Sequence, residues 1–178
     1  MSIISKNALI NFSAVQAEHP AAGPGLRTEV FFFGCSRGCP GCINQWVQDL
    51  GLYNTETAET IAKYIYKLGN PRISISGGEP FEQIKGLLSL LFFIQKEFDN
   101  KAEILLYTGN DLEDIQDYCP ILVYLVTYLV TGIFIQDFAY TKIENSFVGS
   151  SNQIMYQLPF FKELELDVYG KLKDENDL

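Results

Sequence analysis

The sequence is poor in the residue types on which several common functions depend. Its 178 residues include one histidine, His19, and 13 lysines and arginines against 22 acidic residues. A chain with a formal net charge of −9 and no basic cluster lacks the positive surface that nucleic acids require. No nucleophile motif is paired with His19, so Ser-His-Asp and Cys-His catalysis have no support either. We therefore predict neither a nucleic-acid-binding protein nor a hydrolase that uses a catalytic triad.

Long apolar runs are also missing. The longest near-apolar stretch, residues 121–135, is interrupted by Thr127, Tyr128, Thr131 and Gly132, and it falls short of the ~20 apolar residues of a spanning helix. We interpret it as buried strand. The first six residues lack the apolar core of a secretory signal. With 47% hydrophobic residues, the chain is predicted to be one globular, cytoplasmic domain over residues 1–178 that is not bound to a membrane.

Cysteine is scarce but concentrated. Three of the four cysteines, Cys35, Cys39 and Cys42, lie within eight residues, and Cys119 is distant. Such spacing disfavours disulfides and favours a reduced, metal-binding set. Thiolates suit iron–sulfur clusters and zinc; a structural zinc site needs four ligands, and only His19 and Cys119 are candidates for the fourth. A 4Fe–4S cluster held by three cysteines would leave one iron open to a small molecule, and we interpret Cys119 as an ordinary half-buried thiol.

Apolar and turn-forming residues alternate along the chain in a regular way. The pattern predicts strands at residues 28–33, 72–76, 103–107 and 128–135 and helices at residues 55–68, 81–98 and 111–118. Strands and helices in alternation indicate a parallel α/β sheet, which binds ligands at the carboxyl ends of its strands. The first three strands run into the cysteine loop, into Ser-Gly-Gly-Glu-Pro at 76–80 and into Tyr-Thr-Gly at 107–109. We expect these three segments to meet.

The spacing Cys-x3-Cys-x2-Cys after a strand resembles the signature of the radical S-adenosylmethionine (SAM) superfamily, and residues 76–80 resemble its Gly-Gly-Glu-Pro motif. The resemblance implies that the three cysteines hold a 4Fe–4S cluster whose open iron is chelated by the amino and carboxylate groups of SAM. One electron then cleaves SAM to methionine and a 5′-deoxyadenosyl radical, which abstracts a hydrogen atom. Glu79 and backbone carbonyls would suit the cationic amino group. The residues assigned to SAM are Gly41, Gly77, Gly78, Glu79 and Thr108.

Further segments narrow the resemblance. Four segments occur in order along the chain: residues 23–28 (Gly-Pro-Gly-Leu-Arg-Thr), 107–109, 131–134 (Thr-Gly-Ile-Phe) and 149–153 (Gly-Ser-Ser-Asn-Gln). Over residues 8–158 the chain resembles the anaerobic ribonucleotide reductase activating proteins, and residues 159–178 form a tail outside the resemblance. This family implies a shortened, incomplete parallel (β/α) barrel of the radical SAM type. It also implies an enzyme that installs a glycyl radical on the reductase, served by an electron donor such as flavodoxin or ferredoxin.

Two departures keep alternatives open. Family members often have an acidic residue where this chain has Ala22, and they tend to have Asp where it has Thr131, so a cation site and the partner are undecided. One alternative is a radical SAM enzyme that modifies a ribosomally synthesised peptide with the help of a small peptide-binding partner. Another is a non-catalytic iron–sulfur or zinc protein. Arg27, Trp46 and the 149–153 loop each have both a structural and a functional interpretation.

Overall fold

The computed structural model of the chain describes residues 3–140, 146–159, 162–167 and 169–173. Strands and helices alternate through most of this length. The strands in the described residues are β1 Leu9–His19, β2 Arg27–Phe32, β3 Asn54–Thr57, β4 Arg72–Gly77, β5 Glu103–Tyr107, β6 Tyr128–Thr131, β7 Ile154–Gln157 and β8 Lys162–Glu163. The α-helices are α1 Ala58–Leu68, α2 Ile84–Glu97 and α3 Leu112–Tyr118.

All these strands join one mixed sheet in the order β3-β1-β2-β4-β5-β6-β7-β8. The four central strands, β2, β4, β5 and β6, are parallel. Two strands on each side, β1 with β3 and β7 with β8, continue the sheet in antiparallel pairing. Within the described residues β3 and β8 each pair on one side only, so the sheet is open at both edges. The predicted α/β class with a parallel core is confirmed.

The two faces of the sheet bury different side chains. On the outer face, α1 and α2 cover alternate strand residues such as Val30, Phe32, Ile73 and Ile75, which are fully buried. Because side chains alternate along a strand, the residues between them point to the inner face. There β2 carries Arg27, Glu29 and Phe31. The inner face becomes apolar towards β7, where a second core forms from Leu105, Tyr128, Val130, Val148, Met155 and Leu164.

Local signals explain where α1 begins and ends. The Thr57 side chain accepts a hydrogen bond from the Thr60 backbone N–H at 3.2 Å and caps the helix. Gly69 follows the last turn in the left-handed conformation (φ 82°), which glycine adopts without strain. The predicted start at residue 55 is wrong, because residues 54–57 pair with β1 as strand β3.

Other predicted boundaries also need correction. The strand predicted over residues 128–135 ends at Thr131, because Gly132 turns the chain with φ +98°. The interpretation of residues 121–135 as one buried strand is wrong, since Pro120–Tyr124 form a 3-10 turn. The predicted helix over residues 81–98 begins as a 3-10 turn, Pro80–Gln83, and α2 starts at Ile84. In the described part of the chain, every helix is too short or too polar to cross a membrane.

Candidate functional site

A cavity of about 370 Å³ opens at the carboxyl ends of the central strands. Its walls include the three clustered cysteines, Gly77 to Glu79 after β4, and Thr108 and Gly109 after β5. Phe134 and Gly149 close the side next to β6. The prediction that the segments after β2, β4 and β5 meet at one site is therefore confirmed.

Cys35, Cys39 and Cys42 are half-buried free thiols on this cavity. Gly38 and Gly41 turn the loop between them with φ +59° and +71°. No three metal-ligating side chains in the described residues converge on a single ion, as a tetrahedral zinc site would require. In a 4Fe–4S cluster each thiolate bonds a different iron, and three thiolates leave one iron open to a small molecule.

The cysteine loop sits in an electrostatically negative surrounding. Burial raises the pKa of the Cys35 thiol, and the carboxylates of Glu82 and Glu79 raise it further, against a backbone hydrogen bond from Arg37. Thiols must lose their protons to bind metal. Metal binding at Cys35 therefore releases a proton.

Two carboxylates tether the loop to the strand ends. The backbone N–H and the hydroxyl of Ser36 both donate to Glu82 Oε1, at 2.8 and 2.6 Å. Arg37 donates from Nε to Glu79 Oε2 at 3.0 Å and from Nη2 to Asn110 Oδ1 at 2.6 Å. The segment between the first two cysteines is thus fixed to the turn after β4 and to the loop after β5.

Glu79 lies at the centre of this network, and its side chain is only 4% exposed. Besides Arg37, it accepts hydrogen bonds from the Thr108 hydroxyl at 2.8 Å, the Gly109 N–H at 2.9 Å and the Phe81 N–H at 3.1 Å. A carboxylate offers about four acceptor sites, and these four close donors match that capacity; Asn110 Nδ2 adds a longer contact to Oε1 at 3.5 Å. The carboxylate therefore connects the cysteine loop, the turn after β4 and the end of β5.

Neighbouring backbone packs so closely against the two residues before Glu79 that both must be glycine. A Cβ on Gly77 would lie 2.4 Å from the Phe32 carbonyl oxygen, and one on Gly78 would lie 2.1 Å from that of Gly34. The Gly78 and Glu79 N–H groups donate to the same two carbonyls at 2.8 and 2.9 Å. The structure places the end of β2 and the cysteine loop against these glycines.

The residues predicted to contact SAM separate into two groups. Gly77, Gly78, Glu79 and Thr108 are brought together on the cavity wall. Gly41 lies within the cysteine loop instead, exposed and next to the Gln136 side chain, and it is absent from the cavity lining.

Arg27 has a structural role. Its side chain is fully buried. Its Nε donates to the Ser74 hydroxyl at 2.8 Å, and its Nη1 donates to Glu103 at 2.6 Å and to the Pro24 carbonyl. Its Nη2 donates to the carbonyls of Ile73 and Glu103. All five N–H donors of the guanidinium are bonded within the protein.

The other undecided residues also have defined positions. Trp46 is 57% exposed, and its ring lies 5.9 Å from that of Phe31. Gln153 organises the 149–153 loop: its Oε1 accepts from the Gly149 N–H at 2.8 Å, and its Nε2 donates to the Gly132 carbonyl at 2.9 Å. Cys119 is a free thiol outside the cysteine loop, and it is buried in the outer core and not half-buried as predicted.

A polar group that the sequence reasoning missed lies on the inner face. Glu29 is 5% exposed and lines the cavity. One of its carboxylate oxygens contacts His19 Nδ1, and the other accepts from the Ser76 hydroxyl. Burial raises the pKa of the neighbouring Tyr107 hydroxyl far above its ordinary value, and Glu29 raises it further. The available signal was an acidic residue within the strand predicted at residues 28–33.

Comparison with known proteins agrees with this site. A sequence family described as "4Fe-4S single cluster domain" matches residues 21–156. The anaerobic ribonucleoside-triphosphate reductase-activating protein of Salmonella typhi is 34% identical over 143 residues, which cover 76% of this chain and 91% of that protein. The proteins of the same name from Vibrio cholerae serotype O1 and Escherichia coli K12 are 34% and 33% identical, over 76% of this chain and 90% and 91% of theirs.

The chain belongs to the family of anaerobic ribonucleoside-triphosphate reductase-activating proteins. The resemblance seen in the sequence motifs is thereby confirmed. The 4Fe-4S match over residues 21–156 runs from just before β2 into β7 and contains the cysteine loop, Glu79 and Thr108. His19 precedes it on β1, so the contact between His19 and Glu29 joins the matched region to a strand outside it.

Proposed function

We propose that this protein is a radical SAM enzyme that activates an anaerobic ribonucleotide reductase by generating a glycyl radical on it. The observation that carries the proposal is the placement of three clustered cysteines on the same cavity wall as Gly77–Glu79 and Thr108, in a chain of this family. When bound, the cluster and SAM supply reductive cleavage of SAM and a 5′-deoxyadenosyl radical that takes a hydrogen atom from the polypeptide. No general base is needed for that step.

Each part of the chain then has a defined task. Cys35, Cys39 and Cys42 hold the cluster, and the set of three thiolates leaves one iron for SAM. Gly77, Gly78 and Thr108 form the wall against which SAM binds, and Gly41 shapes the cysteine loop beneath it. Since the carboxylate of Glu79 is bonded to four protein donors, it seats SAM by holding that wall and the loop in place.

The architecture suits a polypeptide substrate. We propose that the parallel core and the inner-face cavity are a shortened (β/α) barrel of the radical SAM type, within a single domain over residues 1–178. The open edges of the described sheet support an incomplete barrel. Such an opening allows a loop of the reductase to reach the cavity, and an electron donor such as flavodoxin or ferredoxin would reduce the cluster.

Anaerobic reconstitution tests the function directly. The purified chain should take up about four irons, release 5′-deoxyadenosine from SAM with a reductant, and produce a persistent glycyl radical signal on the reductase in electron paramagnetic resonance. A Cys39→Ala variant is the matched control and should give none of these. One zinc per chain without SAM cleavage would contradict the enzyme assignment. A mass change in a short precursor peptide, without a radical on the reductase, would support the peptide-modifying alternative.

A further inference from the structure

The Glu29 carboxylate forms a second polar site in the cavity, apart from the cysteine loop. It lies on the inner face of β2 between Arg27 and Phe31, and 7% of its side chain is exposed. Placing a carboxylate in such surroundings is unfavourable unless charge and hydrogen bonds compensate it. The partners of Glu29 therefore indicate whether the site is complete.

The protein compensates the negative charge of Glu29 only in part. Arg27, two residues earlier on the same face, has all five of its N–H donors bonded to Ser74, Glu103 and backbone carbonyls. It has none left for Glu29. The one cationic candidate bonded to Glu29 in the described part of the chain is His19, whose ring is charged only when it is protonated.

The carboxylate also retains acceptor capacity. Among the described residues it has two hydrogen-bond partners, His19 on one oxygen and the Ser76 hydroxyl on the other. About four acceptor positions are available on a carboxylate. Ser76 donates to Glu29 and not to the imidazole, so this is not a nucleophile arrangement of the Ser-His-acid type. A site that orients an acceptor without activating a nucleophile is suited to binding.

The position of Glu29 indicates which ligand reaches it. It precedes Phe33 by four residues, about 13 Å along an extended strand, and the cysteine loop begins immediately after Phe33 and Gly34. Its partner Ser76 directly precedes Gly77, so Glu29 lies further along the inner face from the strand ends than the glycine wall and the cysteine loop. A polypeptide that extends into the cavity past those groups would reach Glu29. Because a buried carboxylate bonds most strongly to a charged donor, an ammonium or guanidinium group fits best.

We propose that Glu29, held in place by His19 and Ser76, binds a cationic side chain of the polypeptide substrate and thereby selects the segment that enters the cavity. The assignment rests on the proposed function in taking the substrate to be a polypeptide. It makes Glu29 a residue that determines specificity, separate from the residues that hold the cluster and SAM.

Synthetic peptides test this binding site. The probes are seven-residue peptides centred on glycine, in which each flanking position in turn carries arginine or its neutral isostere citrulline. Their dissociation constants are measured by calorimetry with the full chain carrying its cluster and SAM. At one or more positions we expect wild type to prefer arginine by about tenfold or more, as a charge-assisted hydrogen bond implies. Glu29→Gln should bind the two peptides equally.

Controls separate the site from general charge and from folding. Glu113→Gln removes the same charge from the exposed first turn of α3 and should keep the preference for arginine. The proposal is overturned if wild type binds arginine and citrulline peptides equally at every position, a result that does not depend on any variant folding. A preference that persists in Glu29→Gln overturns it equally.

The peptide-binding and glycyl-radical measurements distinguish failure of the cation site from failure of the proposed function. A preference for arginine that depends on Glu29, without a glycyl radical on the reductase, would contradict the proposed function and leave the cation site standing. A glycyl radical on the reductase, without any preference among the peptides, would contradict the cation site alone.

Discussion

Replacement of Glu79 by glutamine separates two roles for this carboxylate, holding the cysteine loop or contacting SAM directly. Each oxygen of Glu79 accepts two close hydrogen bonds: Oε1 from the Thr108 hydroxyl and the Phe81 N–H, Oε2 from Arg37 and the Gly109 N–H. In the variant one oxygen becomes an NH2 group. Whichever oxygen it replaces, one backbone N–H loses its acceptor: that of Phe81 at Oε1 or that of Gly109 at Oε2.

The expected magnitude follows from these contacts. A buried N–H without an acceptor costs about 1–3 kcal/mol. The variant also loses the negative charge beside Arg37, whose side chain is 27% exposed. Because solvent screens that pair, this loss adds about 1 kcal/mol or less to the destabilisation. We therefore expect Glu79→Gln to lower the free energy of unfolding of the cluster-free chain by about 1–4 kcal/mol. Iron uptake should fall as well, because the hydrogen bond from Arg37 that anchors the loop is no longer to a charged acceptor.

Urea unfolding followed by circular dichroism measures this effect. Glu113→Gln, with the same charge change on an exposed helix end, should alter stability by no more than about 1 kcal/mol. A double-mutant cycle with Arg37→Met should give a coupling of about 1 kcal/mol. The reasoning is refuted if Glu79→Gln unfolds like wild type and binds iron fully but binds SAM more weakly, since the carboxylate would then act on SAM itself.

Three further predictions follow from the same contacts. Alanine in place of any one of the three loop cysteines should remove most bound iron, measured by iron analysis and visible absorption, while the circular dichroism spectrum stays unchanged; full iron content would contradict the ligand assignment. Gly78→Ala places a Cβ against the Gly34 carbonyl and should destabilise the chain by about 2–4 kcal/mol in urea unfolding. Gly38→Ala is the control for this variant: its Cβ would meet no atom within 4 Å at φ +59°, so it should cost only about 1 kcal/mol. Equal losses of stability in the two variants would argue against the contact between Gly78 and the Gly34 carbonyl. Arg27→Met removes five buried hydrogen-bond donors, including those to Glu103, whose side chain is 32% exposed. The variant should cost about 3–5 kcal/mol, and a loss well below that range in the same assay would show that these contacts contribute little.

The boundaries that sequence patterns predicted well belong to elements with strong local signals. β5 was expected at residues 103–107 and is found at Glu103–Tyr107, because an apolar run with turn residues on both sides leaves little choice. β1 escaped prediction for a physical reason. Its pairing with β2 shifts register between Phe12 and Ala14 and again between Gln16 and His19, so the period-two alternation that reveals a strand is interrupted.

The candidate site likewise combines features that the local sequence predicts with contacts between distant residues that it does not. The spacing of the cysteines and the order of the segments after β2, β4 and β5 are local properties, and they identified the site before any coordinates. The partners of Glu79 and Glu29 are not local. Thr108 follows Glu79 by 29 residues, and Ser76 follows Glu29 by 47.

The amino-acid sequence alone therefore determined the chemistry of this protein, because thiolate spacing and strand-end motifs are written in consecutive residues. Only the tertiary structure decided what each carboxylate does. Parallel pairing of β2, β4 and β5 sets side chains from distant segments next to one another, and that register placed four donors around Glu79 while Glu29 kept unused acceptor sites. The physical reason is that hydrogen-bond partners across a sheet depend on strand order and register, which no single segment encodes.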